Sequence, residues 1–142
     1  MKRLEAWPEL LHEFLEASES QPFAWGVRDC ATFTCDAVLV MTGVDLASDF
    51  RGQYSNVGGA ARTMRKFAGG GVEAVADKVT KQHGMPEISP KLAQRGDVVL
   101  VDGESEPALG IVSLDAQWAV TITPRGPQKW PALSARRAWR VG

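Results

Sequence analysis

The chain has 142 residues, a net charge of −1 from 16 basic and 17 acidic residues, and an apolar fraction of 44%. This length is typical of one domain that buries a substantial core. The charge balance gives no electrostatic reason to expect nucleic acid or an anionic membrane as a partner. Since no repeat or linker divides the chain, we predict a single domain over residues 1–142 with no nucleic-acid or membrane partner.

The sequence also bears on the cellular compartment. The first residues contain no apolar run of the kind that forms a signal sequence, and no stretch reaches membrane-spanning length. We therefore expect the protein to be made and kept in a cytoplasm, unless another component carries it out. The chain has two cysteines, and a reducing compartment predicts that both are free thiols.

Four helices are predicted in the first half of the chain, over residues 5–18, 30–41, 56–68 and 72–82. The first shows apolar residues at i, i+3, i+4, i+7 and i+8, which is the spacing of an amphipathic helix. The second is apolar on most sides and is therefore predicted to be buried. Asp29 is a favoured N-cap for it, and Thr42-Gly43 is predicted to end it.

The pattern changes after Pro90 to short runs that favour β-structure. Strands are predicted over residues 97–101, 109–114 and 118–123, with two short edge strands over residues 128–133 and 138–141. Helices followed by strands are typical of an α+β fold, in which N-terminal helices pack on a C-terminal antiparallel sheet. We expect that sheet to pack against the helix that begins at Cys30.

Cys30 is the leading candidate for chemistry. It stands where the Asp29 N-cap leads into the buried helix, and the backbone N–H groups and helix dipole at that position favour a thiolate. Arg28 would assist, whereas the charge of Asp29 opposes the thiolate unless its carboxylate turns to the helix amides. Thiol hydrolases place their cysteine in this way, but a cysteine is also a small apolar residue that packs well in a core. Both interpretations stay open.

A thiol hydrolase needs a general base, usually histidine, and the chain has two histidines. His12 falls on the polar side of the first predicted helix. His83 follows the fourth, where an imidazole can instead interact with the carboxyl end of that helix. His83 is therefore the candidate base, and a structural role is the alternative for both.

Cys35 is predicted to fill the core. It follows Cys30 by five residues, about 140° around a helix, so the two thiols cannot form a disulfide. The same spacing does not suit a metal site, and no second pair of ligands follows. We expect no metal and no other cofactor.

Several short motifs resemble the NlpC-type peptidases, a papain-like family. They are Trp25-Gly26-x-x-Asp29-Cys30 before the buried helix, Arg95-Gly96-Asp97-Val98-Val99 at a strand, and Leu109-Gly110-Ile111-Val112. In that family an Asp-Cys pair opens the catalytic helix, a Gly-Asp turn opens the first strand, and a His-x-Gly-Ile strand carries the base. The resemblance implies a papain-like fold with Cys30 as nucleophile and with Trp25 and Asp29 as substrate-binding residues.

The whole chain is also similar to a family of small proteins found in phage and prophage tail-gene clusters. The similar parts are residues 28–33, Thr42-Gly43-x-Asp45, Arg51-Gly52-x-Tyr54, residues 96–99, residues 108–111 and residues 138–141. This resemblance implies a tail-associated protein with phage tail proteins as partners. It also implies a location in the bacterial host cytoplasm before assembly and in the virion tail afterwards.

The chain departs from the peptidase pattern at one position, because the histidine of that pattern falls on Ala108. Two functions therefore remain open. One is a cysteine peptidase or amidase that cuts a peptidoglycan stem peptide, with Cys30 as nucleophile and His83 as a substitute base. The other is a catalytically inactive tail assembly or structural protein. A side chain that cannot accept a proton removes the general-base contribution, so we expect no hydrolysis.

Overall fold

The computed structural model describes residues 1–142. Its four helices are α1 (Trp7–Ser18), α2 (Cys30–Thr42), α3 (Val57–Ala68) and α4 (Val72–Gln82). Each lies within two residues of its predicted bounds, so the helix prediction is confirmed. The end of α2 is also as predicted: Gly43 takes a φ of 80°, which glycine adopts without a side-chain clash.

Six strands follow the helices. They are β1 (Glu87–Ile88), β2 (Val98–Val101), β3 (Ala108–Val112), β4 (Trp118–Thr123), β5 (Gly126–Pro131) and β6 (Arg137–Trp139). They form one sheet in the order β1-β6-β2-β3-β4-β5, and every neighbouring pair is antiparallel. The predicted α+β class, with N-terminal helices packed on a C-terminal antiparallel sheet, is therefore confirmed.

The last two strands differ from the prediction. β5 begins at Gly126 and ends at Pro131, because residues 132–134 form a short 3-10 helix. β6 is an inner strand that pairs with β1 on one side and β2 on the other, so the prediction that it lies at an edge was wrong. β1 has only two residues, too few to show the alternation by which strands are recognised in a sequence.

The helix α2 lies at the centre of the molecule, against α1 on one side and against β3 and β4 on the other. The main core joins these layers, with Leu11, Val38, Met41 and Ile111 all fully buried. A second, smaller apolar cluster of mainly valine and alanine lies along the sheet, and Cys30 at the start of α2 packs against it. Because both faces of β2 are covered, its sequence is an unbroken apolar run.

None of the four helices is both long enough and apolar enough to span a lipid bilayer.

Candidate functional site around Cys30

Cys30 is the first residue of α2, and the residues around it fix the start of that helix. One carboxylate oxygen of Asp29 accepts a hydrogen bond of 2.9 Å from the backbone N–H of Thr32. The N–H of Asp29 in turn donates to the Thr32 hydroxyl at 3.0 Å. This reciprocal capping box satisfies two amides that would otherwise lack partners, and it confirms Asp29 as the N-cap.

The second carboxylate oxygen of Asp29 is held from the other side. It accepts hydrogen bonds from the Gly26 N–H at 2.9 Å and from the Tyr54 hydroxyl at 2.6 Å. Asp29 is only 1% exposed, so its carboxylate binds groups inside the protein and not a ligand in solution. Asp29 therefore holds together the start of α2 and the loop before it, residues 23–28, which we call the entry loop. Its side chain does not line the groove that opens beside Cys30.

Tyr54 is a member of this site to which the sequence assigned no role. Burial raises the pKa of its hydroxyl, and the hydrogen bond to Asp29 raises that pKa further. The loop of Tyr54 passes so close to Gly26 that a Cβ at Gly26 would overlap the carbonyl oxygen of Tyr54. Gly26 also has a φ of 81°, so glycine is required there. Tyr54 belongs to the motif Arg51-Gly52-x-Tyr54, but the sequence could not show its role because its partner, Asp29, lies 25 residues away.

A groove of about 400 Å³ opens beside Cys30. Phe23 and Trp25 of the entry loop form one wall, where their rings pack edge to face with centroids 4.8 Å apart. The loop between β2 and β3 and the turn between β4 and β5 form the opposite wall, which carries an exposed ion pair of 2.9 Å between Glu104 and Arg125. The structure thus brings two of the predicted site residues, Trp25 and Cys30, to one groove.

The thiol of Cys30 is electrostatically unfavourable for nucleophilic chemistry. Part of the residue is exposed, but protein atoms surround the sulfur, and this burial raises the pKa of the thiol to about 11. The negative charge of Asp29 raises it further, while hydrogen bonding from the backbone of Leu109 lowers it in part. Desolvation of the thiolate therefore outweighs the favourable position at a helix N-terminus.

Neither histidine lines the groove. Nδ1 of His83 donates a hydrogen bond of 2.9 Å to the carbonyl of Val79, so the ring caps the carboxyl end of its own helix, α4. His12 lies on the exposed face of α1, where its Nε2 is 2.9 Å from the carboxylate of Glu16. Arg28, which was expected to assist the thiolate, instead donates to the carbonyl of Pro22 at 2.9 Å. The candidate base His83 is thus not assembled with Cys30.

Ala108 lines the groove together with Cys30. It is the first residue of β3 and belongs to the apolar cluster against which Cys30 packs. This is the position at which the resemblance to the papain-like peptidases requires a histidine. The groove therefore has a cysteine at the start of the central helix and, at the first position of β3, a residue whose side chain is only a methyl group.

The second cysteine takes no part in the groove. Cys35 is buried in the main core, and burial raises the pKa of its thiol. Both cysteines are free, as their spacing on one helix predicted. No three or more His, Cys, Asp or Glu side chains are grouped so that they could hold a metal ion. Cys30 is therefore the one cysteine that lines the groove.

Comparison with known proteins assigns the chain to a protein family. A search of the curated proteins finds no match to the chain. One family model matches residues 2–141, which is nearly the whole chain, and its description is "Domain of unknown function (DUF6950)". By this match over almost its full length, the chain belongs to the DUF6950 family.

Proposed function

We propose that this chain is a tail-associated, papain-like protein of a phage or prophage whose cysteine site is catalytically inactive and which serves in tail assembly or structure. The observation that carries the proposal is the pairing of Cys30 with Ala108 in one groove. A papain-like site with its base position occupied by alanine keeps the architecture of a hydrolase without the means to move a proton.

The protonation state of Cys30 supports the same proposal. A thiol with a pKa of about 11 is ionised to about 0.01% at neutral pH. The nucleophile of a cysteine peptidase is the thiolate, which an adjacent imidazole normally generates. The structure places no imidazole in the groove. The loss of general-base catalysis, commonly about 10²- to 10⁴-fold in rate, then adds to the scarcity of thiolate.

An active cysteine peptidase or amidase is the second candidate. It is favoured by the partial exposure of Cys30 and by a groove large enough to admit part of a peptidoglycan stem peptide. The first-turn amides of α2 would serve as oxyanion donors. This candidate requires a base from outside the groove lining, and His83 would have to leave its hydrogen bond to Val79 to supply it.

Hydrolysis of peptidoglycan stem-peptide fragments distinguishes the two candidates. We expect the wild-type protein to release no more product than its Cys30→Ala variant. Product release that depends on Cys30, and that falls at least about tenfold in His83→Ala while His12→Ala is unaffected, would instead establish the active enzyme.

A gain-of-function variant tests the geometry directly. The Ala108→His change should place an imidazole beside Cys30 and lower the pKa of the thiol, so that the rate of iodoacetamide labelling at pH 7 rises at least about tenfold. Ala108→Asn is the matched control, because it adds a polar side chain of similar reach that cannot form an ion pair with the thiolate. Equal labelling of the two folded variants would show that position 108 is not the base position.

A further inference from the structure

The exposed face of α1 is strongly acidic. Five glutamates lie on this helix and its flanks, all of them exposed: Glu5, Glu9, Glu13, Glu16 and Glu19. Glu9, Glu13 and Glu16 follow the i, i+4, i+7 spacing that puts side chains on one side of a helix. No lysine or arginine pairs with any of the five, and the only ion-pairing partner is His12, which contacts Glu16. We call this surface the acidic α1 face.

The hairpin of α3 and α4 carries the opposite charge. Its five lysines and arginines are all exposed, and none forms an ion pair: Arg62, Arg65, Lys66, Lys78 and Lys81. The first three follow the i, i+3, i+4 spacing of one helix face. Nζ of Lys78 donates to the carbonyl of Phe67 at 2.7 Å, which brings a cation of α4 to the end of α3. We call this surface the basic hairpin face.

The acids of the hairpin do not neutralise the basic face. Glu73 is engaged by Arg136 at 2.8 Å and by Arg137 at 2.9 Å, and Asp77 is engaged by Arg137 at 2.6 Å. No ion pair joins α1 to α3 or α4 within the chain. The net charge of −1 therefore does not mean that charges are evenly mixed over the surface, because these two patches of opposite sign are separate. Like charges one helical turn apart repel each other, so each face is relieved by a partner of opposite sign.

We propose that the acidic α1 face of one copy of this chain docks on the basic hairpin face of a second copy. Five carboxylates, of which only Glu16 has an ion-pairing partner, in His12, match five cations that form no ion pair, and both complementary surfaces belong to the same polypeptide. An unrelated acidic partner would neutralise the unpaired cations of the basic hairpin face but would leave the acidic α1 face without a partner. Since the two faces are different surfaces, the contact is heterologous, and each added copy leaves one face of each kind free until a ring closes. This proposal is independent of the chemistry at Cys30.

Salt dependence is the first test. Sedimentation velocity of the wild-type chain in about 20 mM NaCl should give a mass that rises with protein concentration above the 15.4 kDa of one chain. In about 500 mM NaCl the association constant should fall at least about tenfold, because exposed charges are then screened. A chain that stays monomeric in low salt at all accessible concentrations overturns the proposal. Retention on a heparin column by a chain that remains monomeric would show a polyanion-binding surface in its place.

Charge exchange is the decisive test. Glu9→Lys/Glu13→Lys leaves three glutamates and two lysines on the acidic α1 face, and Arg62→Glu/Lys66→Glu leaves three cations and two glutamates on the basic hairpin face. Each variant should lose most of its self-association in low salt, since the changed face then has almost no net charge. An equal mixture of the two should associate again, because every contact regains opposite charges. The control Asp49→Lys/Glu106→Lys makes the same change in net charge as Glu9→Lys/Glu13→Lys but at exposed positions outside both faces, and it should associate like the wild type. Failure of the mixture to associate, or loss of association in the control, overturns the proposal.

Discussion

At the scale of single residues, position and environment act in opposite directions on Cys30. The first turn of α2 favours a thiolate through its free amides, and this was the basis for choosing the residue from the sequence. The structure surrounds the sulfur with protein and places the Asp29 charge nearby, which raises the pKa of the thiol to about 11. A raised thiol pKa means that the neutral form is favoured, so Cys30 is a weak nucleophile throughout the neutral range.

The pH dependence of thiol labelling follows from this pKa. Iodoacetamide should label native protein at pH 7 about 300-fold more slowly than free cysteine, in proportion to the smaller thiolate fraction, and the rate should keep rising to pH about 11. The Cys30→Ala variant is the control, because its remaining thiol, Cys35, is buried and should not react in the folded state. A labelling midpoint at or below the free-cysteine pKa of about 8.5 would contradict the protonated thiol.

Among the elements of the fold, Asp29 joins three segments that do not belong to one helix or sheet. Its carboxylate caps α2 through Thr32, accepts from Gly26 in the entry loop, and accepts from Tyr54 in the connection before α3. Because Asp29 and Tyr54 are both buried, loss of the carboxylate would leave donors without partners. Such donors cost much of their desolvation free energy. The start of the central helix is therefore stabilised by tertiary contacts as well as by capping.

Removal of this carboxylate should be costly. We expect Asp29→Ala to lower the free energy of unfolding by about 3 kcal/mol, from the lost cap and the unsatisfied donors. Tyr54→Phe should lower it by about 1 kcal/mol. Asn56→Ala, which removes the exposed cap of α3, should cost only about 1 kcal/mol. Urea denaturation measures all three values, and an Asp29→Ala loss no larger than that of Asn56→Ala would refute the role of the buried contacts.

At the scale of the whole molecule, Asp97 connects the two ends of the chain to the sheet. This residue of the Gly-Asp turn is fully buried. Its Oδ1 accepts from Arg3 at 3.0 Å and from the N–H of Val141 at 3.0 Å. The side chain of Arg3 also donates to the Val141 carbonyl at 2.7 Å. One hydrogen-bond network thus joins Arg3 to Asp97, 94 positions later in the chain, and to Val141, 138 positions later.

The Asp97 network should matter more than any surface ion pair. We expect Asp97→Ala to lower the free energy of unfolding by about 3 kcal/mol or more, since Arg3 and the Val141 amide would lose their buried acceptor. Glu104→Ala removes one partner of an ion pair with Arg125 in which both side chains are more than half exposed, and should cost less than about 1 kcal/mol. Thermal and urea unfolding compare the two variants. Similar losses would show that Asp97 has no special role.

Local signals in the sequence were enough to predict the helices and the antiparallel sheet. Helix bounds follow from contacts within one or two turns, and their signals stand close together: an Asp29 cap before an apolar run, and Gly43 after it. The unbridged state of Cys30 and Cys35 is local in the same way, because helical spacing alone separates them. The resemblance in motif order also predicts that Ala108 stands where a papain-like peptidase carries its base, and this stays a prediction.

The surroundings of these residues depend instead on contacts between segments that are far apart in the chain. The burial that raises the pKa of Cys30 comes from elements far along the chain, including the backbone of Leu109 in β3. The contact of Asp29 with Tyr54 spans 25 residues. The inner place of β6 depends on its pairing with β1, and the contact between the side chains of Glu87 in β1 and Arg137 in β6 spans 50 residues. Both the desolvation of a side chain and the order of strands depend on many such distant contacts, whereas a sequence pattern reports only on residues that are close together in the chain.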